Sequence, residues 1–147
     1  MEFRGMTTSS TDDWLSQLHA NGYRLTAPRR IVIDIVAQSQ RVLSPAEVHR
    51  LARKRYPAIG LVTVYRTLEK LEELSLIQRV HQPGGCHAFI AAAEGHQHLL
   101  ICQQCGLAEY FSGDNLDPLM ANIGRDTGYI IKEHWLQFFG LCEDCRK

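Results

Sequence analysis

The sequence predicts an α+β chain in two parts: a winged-helix module, then a smaller α/β half closed by a four-cysteine metal site. Three observations carry this. Four helical patterns precede residue 76 and are followed by two β-rich runs around a Pro-Gly-Gly turn. All five cysteines lie from Cys86 onward, four of them as Cys102-x-x-Cys105 and Cys142-x-x-Cys145. Residues 1–83 carry twelve Lys/Arg against eight Asp/Glu (+4) and residues 84–147 four against eight (−4), which together give the net charge of +0. A basic half joined to an acidic one is the pattern of a nucleic-acid module fused to a module with another task. At 147 residues the chain suits one domain or two small ones. No apolar run approaches the roughly 18 residues of a membrane span. The opening stretch MEFRGMTTSSTDD lacks the apolar centre of a secretory signal, so a cytoplasmic protein with reduced thiols and no membrane partner is expected.

The first helix is predicted over about Asp13–Ala20, stopped by Asn21-Gly22. The second opens at Thr26, with Pro28 in its first turn and Ile31, Val32, Ile35 and Val36 as its apolar stripe. Ser44, Pro45 and Glu47 form a capping box that starts the third. In the fourth, Val64, Leu68 and Leu71 are spaced to face a core. Thr63, Arg66, Thr67 and Lys70 fall on another face, with Tyr65 at its rim. That face offers two cations, two hydroxyls and no acid. It is either a solvated helix surface or a helix that enters the major groove of double-stranded DNA. Arg24, Arg29 and Arg30 are placed for phosphate or minor-groove contact, or serve solubility alone. The runs flanking Pro83-Gly84-Gly85 make a β-hairpin, the wing.

The second half carries the metal chemistry. Each C-x-x-C offers two thiolates from a tight turn, and two pairs with 36 residues between them complete a closed tetrahedral site. With no open position, Cys102, Cys105, Cys142 and Cys145 predict a structural Zn²⁺; the rival is a redox dithiol. His96 and His98 are two apart and share one side of a strand. His134, in the run GYIIKEHWLQFFG that reads as a strand, and Asp117, at the start of a predicted helix, would complete a nitrogen/oxygen set suited to Zn²⁺, Fe²⁺ or Mn²⁺. The plainer readings are a satisfied core histidine for His134 and an N-cap for Asp117, ahead of Pro118 at N1. Cys86, His87 and His81, at the hairpin, are candidates for an additional site, against ordinary exposure or packing. His19 and His49 read as surface residues. An enzyme with a small organic substrate is not expected. No His-Glu-x-x-His occurs, and neither C-x-x-C follows the zinc-deaminase pattern.

The stretches RLTAPR, SPAEVHRLARKRYPAIGLVTVYRTLEKLEELSLI, GHQHLLICQQCG and HWLQFFGLCEDC resemble the ferric uptake regulator family of metal-dependent bacterial repressors, from about Trp14 to Cys145. The resemblance implies a winged-helix DNA-binding domain over residues 1–90, a hinge over 91–95 and a metal-binding dimerisation domain over 96–147. It implies a homodimer that binds AT-rich inverted repeats when a regulatory ion is loaded, and so represses metal-uptake genes. It places Tyr65 and Arg66 on bases, Arg24 in the minor groove and Arg29 on a phosphate. It makes the four paired cysteines the structural zinc ligands, and His96, His98, Asp117 and His134 the regulatory site. A histidine at 98, where most members carry a carboxylate, is similar to the zinc-sensing subgroup; an iron or manganese regulator is the alternative. Val42, Ile90, Gln97 and Leu99 stand where the family's hinge site keeps its donors, so a peroxide sensor built on that site is the lesser expectation.

Overall fold

The computed structural model describes residues 2–4, of which only the backbone, 10–113 and 115–147; part of the N-terminal stretch read for a signal lies outside them. Strand β1 (Glu2–Arg4) is followed by α1 (Thr11–Ala20), α2 (Ala27–Gln38), α3 (Pro45–Arg55) and α4 (Leu61–Glu73). Strands β2 (Ile77–His81) and β3 (His87–Ala91) form the hairpin, and β4 (His98–Cys102), β5 (Ala108–Ser112), α5 (Asp117–Thr127) and β6 (Gln137–Gly140) the second half. The α+β class read from the sequence is the observed one.

Helix α3 starts where its chemistry dictates, whereas Thr26, at the N-cap of α2, makes no side-chain capping bond. Ser44 Oγ accepts from the Glu47 amide at 3.2 Å while the Glu47 carboxylate accepts from the Ser44 amide at 2.7 Å, the reciprocal cap expected for α3. Ser44→Ala should therefore destabilise the fold by about 1 kcal/mol in a urea melt. Asp34 of α2 accepts from Thr11, Gln38 and Arg55 at 3.0, 2.6 and 2.6 Å, which ties α1, α2 and α3 at one point. Trp14, Leu18, Val32, Ile33, Val64 and Leu68 lead the apolar cluster these helices enclose.

The wing joins two cores. Residues of a strand alternate in direction, so the hairpin presents Ile77, Phe89 and Ala91 to the helices and Val80, Ala88 and Ile90 to a second cluster with Val42, Leu99, Ile101, Ala108 and Tyr110. The second sheet runs β1-β5-β4-β6, antiparallel between β1, β5 and β4 and parallel between β4 and β6. The strand expected across GYIIKEHWLQFFG forms only over Gln137–Gly140. The reason is the partner: β4 begins at His98, its Leu99 pairs Gln137, and residues before Leu136 have no edge left to bond. Tyr129, Ile130 and Trp135 are left 75–87% exposed. Helix α5 begins at Asp117 with Leu116 as N-cap, one residue before the cap expected, and ends on Gly128, whose φ of 76° suits glycine. It buries none of its side chains. No helix among the described residues is long and apolar enough to cross a membrane.

Candidate metal centres and DNA-reading face

The parallel β4–β6 pairing sets Cys102 opposite Gly140, which brings both C-x-x-C turns to one end of the sheet. The four Sγ atoms lie within 4.8 Å of one another, Cys105 and Cys142 at 3.7 Å. Backbone amides converge on Cys102: the amides of Cys105 and Cys142 hold its thiol down at about 6, well below an ordinary cysteine. Cys145 is pushed the other way, to about 12, by the Cys142 side chain, burial, and the Cys105 and Cys102 sulfurs. One sulfur is thus ready as thiolate while crowding keeps another protonated. A divalent cation is what allows four such sulfurs to ionise together, so the donor set fits a tetrahedral Zn²⁺.

The second cluster sits where the chain leaves the 91–95 segment. His96, His98 and His134 place one ring nitrogen each within 4.8 Å of the others. His96 Nε2 lies 3.0 Å from His134 Nε2, and the His98 ring is 4.8 and 5.2 Å from the other two, centroid to centroid. Donors of a tetrahedral ion with Zn–N near 2.0–2.1 Å are separated by roughly 3.3 Å, so the triad fits one ion. His98 is only 2% exposed, packed on Phe111, whereas His96 is exposed and His134 half-buried. Asp117, expected as the fourth ligand, is not brought in. It lies exposed in the first turn of α5, outside the cluster. Nor do Cys86, His87 and His81 form a three-donor group among the described residues. His81 and His87 are cross-strand partners with rings 5.2 Å apart, and Cys86 is exposed in the turn.

On α4 the outward face is rotated from the one expected. Thr67, expected outward, is fully buried and donates to the Thr63 carbonyl at 2.7 Å. Val64, Thr67, Leu68 and Leu71 face the core, a complete i, i+3, i+4, i+7 set that the sequence already contained had threonine been admitted to it. The exposed stripe is Val62, Tyr65, Arg66 and Glu69, with Thr63 at its half-buried edge, so the face does include an acid. Lys70 is half-buried and pairs with Glu73 at 3.1 Å. Arg24 is exposed, while Arg29 donates to the Arg24 carbonyl at 2.7 Å and stacks 4.7 Å over the Tyr23 ring. His49, read as a surface residue, is half-buried with Nε2 3.0 Å from the Ile59 carbonyl. A carbonyl only accepts, so Nε2 carries the proton there, and it anchors the turn that launches α4.

A helix-turn-helix with a wing, joined to a sheet bearing two metal-type clusters, defines the class of metal-binding transcription regulators. The chain belongs to the ferric uptake regulator family, whose sequence profile matches residues 20–139. It is 35% identical over 133 residues to the ferric uptake regulation protein of Bacillus subtilis (strain 168), covering 88% of this chain and 89% of that one. Its fold is similar to that of the Helicobacter pylori ferric uptake regulator (TM-score 0.69, 23% identity, 100% and 98% covered). It is also similar to a zinc-bound manganese uptake regulator (TM-score 0.68, 27% identity, 87% and 98% covered). A zinc uptake regulator solved with zinc and DNA gives a TM-score of 0.67 at 20% identity, with 94% and 96% covered. The family is one of metal-dependent transcription regulators, not enzymes.

Proposed function

We propose that this chain is a zinc-responsive repressor that binds AT-rich inverted repeats as a homodimer, with the His96–His98–His134 cluster as its sensor and the four cysteines as a structural zinc site. The observation that carries it is the meeting of three imidazoles at the end of the 91–95 hinge. Residues 1–90 then act as the DNA-binding domain and 96–147 as the dimerisation domain. Three imidazole nitrogens with at most one carboxylate favour Zn²⁺ over Fe²⁺ or Mn²⁺. An ion there supplies a cross-link between the chain leaving the hinge and the segment entering β6. His98, fixed in the sheet, orients the set, and His96 and His134 close on it from more open positions. Asp117 is the fourth ligand if α5 swings over the sheet. The apolar side chains that α5, the following coil and β6 leave exposed, Leu119, Ile123, Tyr129, Ile130, Trp135 and Phe138, supply the surface for a second copy.

On the DNA side, Tyr65 and Arg66 read bases, with Thr63 beside them, while Arg24 reaches the minor groove and Arg29 a phosphate. Arg66→Ala should weaken operator binding by about 1–3 kcal/mol and relax sequence preference at one position. Thr67→Val should leave operator affinity unchanged, because its hydroxyl never leaves the core. The two results together would show which face of α4 meets DNA. The deciding experiment is fluorescence anisotropy on the upstream DNA, with buffered free Zn²⁺ raised and then Fe²⁺ and Mn²⁺ supplied without oxygen. Tightening by zinc alone supports the reading. A second reading, an iron regulator, is favoured by the 35% identity to a ferric uptake regulation protein, and tightening by Fe²⁺ alone would establish it.

A further inference from the structure

Residues 40–43, between α2 and α3, use both edges of their backbone. On one edge Leu43 exchanges two hydrogen bonds with Phe89 of the wing, at 2.9 and 2.8 Å. On the other, the Val42 amide donates to the Gly106 carbonyl at 2.9 Å and the Ala108 amide donates to the Gln40 carbonyl at 3.1 Å. Arg41 adds a guanidinium bond to the Cys105 carbonyl at 3.2 Å, and its own backbone is clamped by the Ser39 hydroxyl at 2.8 and 3.1 Å. This four-residue strap thus continues the wing into the Cys102-x-x-Cys105 turn. Gly106 permits the approach: its φ is +77°, and a Cβ there would already sit 3.4 Å from the Val42 carbonyl. The strap leads directly into Ser44, the cap of α3, and α3 packs on α4.

We infer that the strap makes the four-cysteine turn a positioning element for the DNA-reading helix, with Arg41 as a positioning residue. The inference rests on the reading that the cysteines hold metal and that α4 meets DNA. A turn cross-linked by metal presents the Cys105 and Gly106 carbonyls and the Ala108 amide in one geometry. The strap is bonded to those groups and to the wing at once, so it transmits that geometry to the helix-turn-helix. Without metal, the turn loses its cross-link and the strap keeps only its wing edge. The second half then no longer fixes the angle of the first. The cysteine centre, read so far as structural only, gains a part in setting the spacing of two DNA-reading helices in a dimer.

The test is amide hydrogen exchange on the full-length protein, zinc-loaded and after chelation, with an Arg41→Ala variant alongside. On chelation, Val42 and Ala108 should exchange at least about tenfold faster while Leu43 and Phe89 keep their protection. Arg41→Ala, with its zinc content intact, should speed the same two amides. It should also flatten the preference among operators whose half-site spacing differs by single base pairs, a readout that simple loss of stability would not move. Unchanged protection of Val42 and Ala108 after zinc removal overturns the inference, as does an Arg41→Ala protein with wild-type exchange and spacing preference. Failure of the wild type to bind DNA under any metal would sink the functional reading, and the exchange result would still decide whether the strap follows the metal.

Discussion

A Cys142→Ser variant is expected to lose a bound zinc ion and, with it, the order of β6 and the C-terminal turn. Strand β6 has four residues, is bonded among the described residues to β4 alone at the sheet edge, and has only half-buried or exposed side chains. Short edge strands of that kind do not hold by themselves. The meeting of the two cysteine turns reinforces its pairing with β4 and the packing of Phe139. The binding energy of such a zinc site, about 10–16 kcal/mol in zinc-finger peptides, is as large as the whole stability of a typical domain, about 5–15 kcal/mol. The helical half should survive, because its cluster of Trp14, Leu18, Val32, Ile33 and their neighbours draws only on α1–α4, the wing and the segments between them. The expected record is one fewer zinc by mass spectrometry under native conditions, protease cleavage within residues 113–147, and a largely retained helical circular-dichroism signal. Full zinc content with wild-type protease resistance would show that these sulfurs hold no ion.

The same site sets a pH dependence in the metal-free chain. Cys102, held at about 6, stabilises the folded state above the ordinary thiol value, and that contribution drains away as pH falls through about 6. Cys145, raised to about 12, has the opposite sign: its contribution is present below the ordinary value and is lost as pH rises through about 12. Zinc competes with protons for the sulfurs, so acid should strip the cysteine site as the Cys102 thiolate is protonated.

The parts of this molecule legible in the sequence are those fixed by local chemistry. The capping box at Ser44 and Glu47, the hairpin around Pro83–Gly85 and the two C-x-x-C turns each need only neighbouring residues, and each stands where the spacing put it. The features that differ from the sequence expectation share another cause. The hydroxyl of Thr67 suggests an outward position, but it is satisfied within the helix at Thr63 and the methyl is free to pack inward. The apolar content of the run before Gln137 suggests a strand, but a strand exists only where a neighbour offers bonds. Asp117 stands apart from the three histidines, exposed in the first turn of α5, because the position of α5 relative to the sheet is a tertiary fact that spacing does not encode. The strap over residues 40–43 was invisible for the same reason: its two partners lie 46 and about 64 positions away along the chain.

His96→Ala and His134→Ala, made separately, are expected to abolish the metal-stimulated rise in DNA affinity while leaving the cysteine zinc and the metal-free fold intact. The choice of these two over His98 follows from burial. His98 is packed against Phe111, so its truncation would open a hole in the sheet and confuse loss of sensing with loss of stability. His96 is exposed in the segment before β4 and His134 is half-buried in the coil before β6, so neither carries much packing. Each nonetheless supplies a third of the donor set, and two imidazoles alone are a weak site for a divalent ion. An ion favours the DNA-binding arrangement only by its differential affinity for it. A hundredfold rise in operator affinity therefore needs about 2.7 kcal/mol of such preference, which a depleted donor set does not supply. The companion measurement is thermal: metal at 100 times its Kd stabilises the wild type by about 2.7 kcal/mol, and both variants should melt at the same temperature with and without it. If either variant kept both the thermal shift and the gain in DNA affinity, the sensing site would lie away from these histidines. If the thermal shift vanished but the DNA response stayed, the triad would bind metal without being the switch.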